Sequence, residues 1–240
     1  MINATWRLFC IQASWNYESM LGLGVGYASE PLLRSLPGGV DGERYRAAVA
    51  RSASYFNAHP YFAGLAVGAI CRAEHDGEPG DKIARLRTAL AGPLGSVGDR
   101  LIWAGTLPAA SAAGLLLTAV GPRAAGPIAL LVIHNAAHLV VRLWGLPAGW
   151  RLGTRLARAL AVPPLVVALR LAGPVAALLL GVALPIAAAW LVRDLDLAGR
   201  VAAGAMFVVA AVIGRWLTPQ LRGARLGLLA AAAVLIGVSL

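Results

Sequence analysis

The sequence predicts an all-α integral membrane protein with about five membrane-spanning helices, preceded by broken or re-entrant helices. Three observations support this fold class. The 240 residues are 59% hydrophobic and 13% charged, whereas a soluble domain is nearer one half apolar and one quarter charged. Residues 101–120 contain no charge, and twenty helical residues at about 1.5 Å each match the roughly 30 Å hydrocarbon core. The arginines of the C-terminal half stand between apolar runs, as loop charges of membrane proteins do.

Composition divides the chain near residue 100. Residues 1–100 carry ten Lys/Arg and nine Asp/Glu, whereas residues 101–240 carry eleven Arg and only Asp194 and Asp196 as acids. We therefore expect an N-terminal mixed-polarity helical core region, 1–100, and a transmembrane helical region, 101–240. The net charge of +10 raises the question of nucleic-acid binding. Arginines dispersed between apolar runs, without a basic aromatic-rich helix, argue against it.

The first region predicts helices that are interrupted by turns. Residues 3–34 are expected to form one or two helices, broken by the glycines near 22–26 and by Pro31. The spacing of apolar residues predicts three further helices, at 43–56, 61–73 and 82–92. Turn-forming residues predict loops at 36–43 and 75–81.

The second region predicts the membrane spans. The apolar stretches are long enough for spans at 101–120, 126–141, 173–192, 201–217 and 226–240, and residues 159–169 are expected to be a short or re-entrant segment. Arginines concentrate in two connections, 142–158 and 215–225. If those connections are cytoplasmic, the N-terminus is cytoplasmic and the C-terminus lies outside.

Three polar clusters in the first region offer chemistry that suits a sugar. They lie at 12–20, 55–61 and 92–103 and combine amides and carboxylates with aromatic rings. Amides and carboxylates pair with hydroxyl groups, and an indole face stacks on the C–H surface of a sugar ring. The alternative is that these residues are helix caps, turns and helix contacts.

His134 and His138 stand four residues apart on one helical face, a spacing that can hold a metal ion. No carboxylate separates them and no third ligand is evident. Structural hydrogen bonding is therefore the favoured interpretation, with a substrate path and a metal site as alternatives. Gly-x-Ser-x-Gly, Cys-x-x-Cys and P-loop patterns are missing from the sequence, so we assign no catalytic residue, metal or cofactor.

The three clusters together resemble one family, the IID subunits of the mannose/fructose/sorbose-type phosphoenolpyruvate-dependent sugar phosphotransferase system. The matching motifs are Q-x-S-W-N-Y-E-x-M at 12–20, Y-F-N-A-H-P-Y at 55–61 and G-P-L-G-S-V-G-D-R-L-I-W at 92–103. They occur in the family's order and spacing. The C-terminal half matches only in hydropathy and in a G-P-I…N pattern at 126–135.

The resemblance implies a membrane subunit that pairs with a IIC subunit of inverted topology to form the sugar path. It implies trimers of IIC–IID pairs in the bacterial plasma (inner) membrane. It also implies cytoplasmic IIA and IIB subunits that carry the phosphorylated histidines and phosphorylate the incoming hexose-type sugar. On this interpretation the chain is no enzyme on its own. The alternatives are a IID-like regulatory protein that transports nothing and, less favoured, a metalloenzyme using His134 and His138.

The candidate sugar-binding residues come from the three motifs. They are Gln12, Ser14, Trp15, Asn16, Glu18, Asn57 and Asp99. On a helix, Gln12, Trp15 and Asn16 would share one face. We therefore expect the first motif to line or brace the sugar path, with Asn57 and Asp99 nearby.

Overall fold

The computed structural model describes residues 1–160 and 163–216, which form helices joined by short turns, without a β-strand. One compact unit comprises Met1–Val182, and a second begins at Ala183. The helices are α1 (Ile2–Arg7), α2 (Gly22–Leu33), α3 (Glu43–Ala53), α4 (Ala63–His75), α5 (Gly80–Gly98), α6 (Leu107–Val120), α7 (Ala125–Leu152), α8 (Leu156–Ala159), α9 (Pro163–Leu191) and α10 (Leu197–Trp216). A π-helical segment joins α5 to α6 at Asp99–Thr106. The predicted all-α class is confirmed.

Three helical stretches of the described residues are long and apolar enough to cross a membrane. They are Gly80–Val120, Ala125–Ala159 and Leu165–Leu191. To within one residue, they contain the spans predicted at 101–120, 126–141 and 173–192. The span predicted at 201–217 corresponds to α10 as far as Trp216, and the span at 226–240 lies outside the described residues. The count of five therefore stays a prediction.

The expectation of a separate short segment at 159–169 is wrong. Helix α9 runs unbroken from Pro163 to Leu191 and passes through Gly173 and Pro174. Proline is tolerated within membrane helices, because neighbouring groups and local adjustments satisfy the backbone atoms that it frees. One long helix therefore replaces the expected pair of segments.

The break in the N-terminal helices falls at residues 11–21, and not at the glycines near 22–26 as expected. Helix α2 begins at Gly22 and continues through Pro31. Its glycines provide space for neighbouring backbone: a Cβ at Gly24 would overlap the Ile11 carbonyl group, and one at Gly26 would lie 2.8 Å from the Ala53 Cβ. The glycines therefore allow close packing of α2 rather than interrupting it.

Helix α4 forms the centre of the core of the first unit. Residues Ala63–Cys71 are all buried, and most of them are Ala or Gly. The helix packs against α2, α5 and α7. Its crossing with α7 depends on glycines, since a Cβ at Gly68 would overlap the Leu146 carbonyl and one at Gly149 would overlap the Leu65 carbonyl. Small residues let two helix backbones approach closely, as in other membrane proteins.

Two carboxylates of the first hundred residues that lie in or beside this core are paired with arginines. Arg51 donates two 2.9 Å hydrogen bonds to the buried Glu74 carboxylate. Burial raises the pKa of Glu30, but hydrogen bonds from Arg34, Tyr45 and Arg7 outweigh burial, and the pKa falls below its ordinary value. Because each of these carboxylates has charged donors, the mixed-polarity region can be packed tightly.

Replacing Gly149 by alanine is expected to destabilise the α4–α7 crossing. The new Cβ overlaps a backbone carbonyl, which cannot rotate away as a side chain does. Overpacking of this kind costs about 1–3 kcal/mol. Thermal melting followed by size-exclusion chromatography in detergent measures the effect. Gly173→Ala is the matched control, because a Cβ at Gly173 in α9 has no atom within 4 Å. Equal melting of the two variants would contradict a tight crossing.

Candidate functional site

The first motif forms a loop, and the expected helix over Gln12–Asn16 is wrong. Residues 11–14 are turns, held by backbone hydrogen bonds from Ala13 to Cys10 (2.9 Å) and from Trp15 to Gln12 (3.1 Å). Gln12, Trp15 and Asn16 therefore do not share a helix face. The physical reason lies in Asn16, since an asparagine side chain can bond nearby backbone groups and compete with helix formation.

Asn16 organises this loop through its side chain. Its Oδ1 accepts hydrogen bonds from the backbone N–H groups of Glu18 (3.0 Å) and Ser19 (2.8 Å). Its Nδ2 donates to the Ser14 carbonyl oxygen (3.1 Å) and to the Ser19 Oγ (2.9 Å). The Met20 N–H closes the turn by donating to the Asn16 carbonyl oxygen (2.8 Å). The loop therefore satisfies much of its own backbone, without help from another helix.

The second motif pairs with this loop through Phe56. The Phe56 N–H donates to the Ser19 carbonyl oxygen (3.2 Å), and the Leu21 N–H donates to the Phe56 carbonyl oxygen (2.9 Å). Met20, which lies between the two pairs, adopts a φ of 52°, uncommon for a residue other than glycine. Because Phe56 is buried, it anchors the loop 11–21 to the core.

The third motif packs on the second. A Cβ at Gly98 would overlap the side chain of His59, and one at Gly95 would lie 3.9 Å from the Ala58 Cα. The π-helical segment that begins at Asp99 follows directly, and π-helical turns are frequent at functional sites. Three motifs that are distant in sequence therefore meet in the structure, through Phe56 and His59.

Six of the seven predicted site residues have exposed side chains, and Asn16 is half-buried. The Asn16 amide donates to the backbone carbonyl oxygen of Ser14, and Asn57 directly follows the paired Phe56. Within the described part of the chain, no hydrogen bond involves the side chains of the other polar members, Gln12, Ser14, Glu18, Asn57 and Asp99. Their polar groups are consequently available to a ligand.

Trp15 gives the loop an exposed aromatic surface. Its ring meets that of Tyr17 edge to face, with the centroids 4.9 Å apart. Trp15 is 44% exposed and Tyr17 is 84% exposed. An indole held by a second ring and open on one side is a suitable platform for the apolar face of a sugar.

Sequence reasoning missed a cluster of aromatic and imidazole rings beside the motifs. Tyr61 lies at its centre, with ring centroids 5.0 Å from those of both His59 and His138. The Tyr61 hydroxyl is 3.3 Å from the His134 Nε2. Burial lowers the pKa of His59 to about 4, although the charge of Asp99 opposes the shift. His134 and His138 thus belong to a packed cluster, and the described residues contain no group of three side chains able to hold a metal.

Sequence reasoning also missed two buried arginines that hold backbone segments near the motifs. Arg87 donates to the carbonyl oxygens of Ser52 (3.1 Å) and Ser54 (2.9 Å) and stacks over Phe56, 5.3 Å from its ring centroid. Arg142, expected in a connection at 142–158, lies within α7 and donates to the Leu8 carbonyl oxygen. No local sequence signal distinguishes these two from the exposed arginines, because their role depends on tertiary contacts.

The fold of the described residues defines a helical membrane protein in which three polar motifs meet. A family model described as the PTS system mannose/fructose/sorbose family IID component matches residues 1–172. The chain belongs to this IID family. All three motifs lie within the matched residues, so the family resemblance stated from the sequence is confirmed.

Curated relatives agree with this membership, and a solved structure shares the fold. The chain is 29% identical over 153 residues to the fructose permease IID component of Bacillus subtilis, covering 62% of this chain and 54% of that protein. It is 32% identical over 151 residues to the sorbose-specific EIID component of Klebsiella pneumoniae, covering 60% and 54%. The chain spans about half the length of these curated relatives. A cryo-EM structure of the mannose transporter ManYZ with microcin E492 shares the fold, with a TM-score of 0.59 at 24% identity, covering 75% of this chain and 67% of that one.

Asn16→Ala is expected to loosen the loop. The substitution removes the acceptor for the Glu18 and Ser19 N–H groups, and a lost hydrogen bond of this kind costs about 1–3 kcal/mol, or roughly five- to 150-fold in the opening equilibrium. Amide hydrogen exchange at residues 17–20 should accelerate accordingly. Asn16→Asp keeps the acceptor oxygen and should accelerate exchange less. Unchanged exchange in Asn16→Ala would show that another contact orders the loop.

Proposed function

We propose that the chain is the IID-type membrane subunit of a sugar-transporting phosphotransferase system. In this proposal it forms the sugar path with a IIC subunit, while cytoplasmic IIA and IIB subunits phosphorylate the incoming hexose. The chain carries no phosphorylated residue and catalyses nothing alone. The observation that carries the proposal is the meeting of the three family motifs, through the Phe56 backbone and the Gly98–His59 contact.

The proposed sugar contacts are the exposed polar residues of the joined motifs. Amide and carboxylate groups of Gln12, Glu18, Asn57 and Asp99 pair with sugar hydroxyls, and the Trp15 ring stacks on the sugar. Asn16 acts mainly by holding the loop in shape, since its side chain bonds the backbone of Ser14 and Glu18, and the Ser14 hydroxyl is a further candidate contact. This division explains how one short motif supplies both contacts and support.

Asn16→Ala is expected to remove most sugar uptake, whereas His134→Ala should do less. The first change removes hydrogen bonds that hold the loop presenting the sugar contacts. Losing one of them costs about 1–3 kcal/mol, or roughly five- to 150-fold in the equilibrium that keeps the loop in its binding shape. His134 contacts Tyr61 within the ring cluster. Sugar uptake and sugar-dependent phosphoryl transfer, with all partner subunits present, measure the effect.

The controls separate transport from assembly. The amount of IIC recovered with each variant should equal that of the unmodified chain, because the loop lies outside the membrane helices. Normal uptake by Asn16→Ala together with loss in His134→Ala would move the site into the spans. Recovery of IIC with no sugar movement by the unmodified chain would favour the non-transporting regulatory role.

The proposed assembly is a trimer of IIC–IID pairs of inverted topology in the bacterial plasma membrane. Residues 1–100 form its mixed-polarity core region and residues 101–240 its transmembrane region. We place the N-terminal region on the cytoplasmic side, which puts the turn at 121–124 outside and the connection at 153–160 in the cytoplasm. Arg151, Arg155 and Arg158 border or lie in that connection, in agreement with the preference of positive charge for the cytoplasm.

Reporter fusions test this orientation. A reporter inserted at 153–155 should give a cytoplasmic signal, because the arginines around it resist translocation. A reporter after Leu240 should give an outside signal if five spans are present. Alkaline phosphatase and green fluorescent protein fusions report the two sides with opposite signals. A cytoplasmic C-terminus would contradict the count of five.

A further inference from the structure

Four nitrogen atoms of the ring cluster are buried and have no hydrogen-bond partner in the described part of the chain. They are His59 Nε2, His134 Nδ1, His138 Nε2 and Arg142 Nε. The rings of His59 and His138 each lie 5.0 Å from that of Tyr61, centroid to centroid. The Arg142 guanidinium carbon lies 5.0 Å from the same centroid. Buried polar atoms are nearly always bonded in folded proteins, so this group of exceptions needs a physical explanation.

At least two of these nitrogens are donors that need an acceptor. The His59 Nδ1 accepts the Tyr61 N–H at 3.2 Å, so the neutral ring carries its hydrogen on Nε2. Burial lowers the pKa of His59 to about 4, with a further contribution from the charge of Arg142, and the ring is therefore neutral at neutral pH. The Arg142 Nε always carries a hydrogen. Whatever completes the cluster must accept hydrogen bonds.

The positive charge of Arg142 has no counter-charge in the chain. Arg142 is 6% exposed, and its side chain donates to the Leu8 carbonyl oxygen. All eleven Asp and Glu residues of the chain lie within the residues that the structure describes, and none of them forms a salt bridge with Arg142. A buried charge is normally paired, because removing an unpaired one from water is costly.

The burial of these donors limits what can complete the cluster. His59 is 2% exposed, and a sugar or a side chain of another polypeptide cannot reach the buried nitrogens without displacing the surrounding rings. A metal ion needs lone pairs, whereas His59 Nε2 and Arg142 Nε present N–H groups. A water molecule is small enough, but it leaves the charge of Arg142 uncompensated. A monatomic anion satisfies both the donors and the charge.

We propose that Arg142 and His59 bind a small monovalent anion, such as chloride, within the ring cluster. The anion accepts the Arg142 Nε–H and the His59 Nε2–H and compensates the buried guanidinium. His134 and His138 supply further donors in one of their two tautomers. The anion thereby links α7 to the second motif. This site is separate from the proposed sugar contacts and does not depend on the proposed function.

Thermal melting of the full chain in mild detergent tests the site. Chloride is exchanged for gluconate at constant ionic strength and pH. Chloride should raise the melting temperature saturably, by about 3–6 °C at roughly ten times its dissociation constant. A general salt effect follows another order, in which sulfate stabilises more than chloride. Equal melting in chloride and gluconate, or a larger effect of sulfate, would overturn the proposal.

Arginine variants locate the effect. Arg142→Gln removes the buried charge and should abolish the chloride response. Arg151→Gln is the matched control, because it removes an exposed charge from the same helix and should keep the response. A chloride response that persists in Arg142→Gln, or that is lost in Arg151→Gln, would show that the anion acts elsewhere and would overturn the proposal.

His59→Phe decides the matter if Arg142→Gln does not fold. This variant keeps a ring in the cluster but removes the Nε2 donor. Losing one hydrogen bond to the anion should raise the chloride concentration at half-effect about fivefold or more. A half-effect concentration equal to that of the unmodified chain would contradict a site built from these two donors.

Discussion

The close crossing of α4 and α7 is the contact on which the rest of the described first unit depends. Gly68 and Gly149 leave no space for a Cβ between the two backbones, so neither helix can shift without losing the contact. Close packing of small residues supplies the attraction that lipid cannot, since lipid tails are as apolar as the side chains. With α4 buried along nearly its whole length, the other helices of the first region pack around a fixed element.

This crossing also determines where the polar groups of α7 point. Once Gly145 and Gly149 face α4, the positions three and seven residues earlier, Arg142 and His138, must turn to the same side. They meet Tyr61 of the second motif there, with the Arg142 guanidinium 5.0 Å from the Tyr61 ring centroid. A membrane helix is thereby joined to the loops that carry the family motifs. The packing of α7 on α4 therefore also determines which side chains of α7 contact the second motif.

The sequence predicts the apolar helices well, because hydropathy and length alone identify a span. It fails where a local rule competes with tertiary contacts. The glycines of α2 predict a break in the helix, yet they are required by the closeness of Ile11 and Ala53. Residues 12–16 have helical spacing, yet the Asn16 side chain holds a turn instead. Burial of Arg87 and Arg142 depends on partners more than thirty residues away, which no local pattern encodes.

The loop around Asn16 has the properties that a binding segment in such a protein needs. Irregular backbone near a membrane is tolerated only when its polar groups are satisfied by the protein or by water. Asn16 satisfies those of Glu18 and Ser19 internally, so these two N–H groups do not depend on water for a hydrogen-bond acceptor. The side chains of Gln12, Trp15 and Glu18 stay exposed at the same time. In the proposed sugar site, the segment keeps its shape while its contact groups exchange water for the sugar, which is the requirement for binding with little reorganisation.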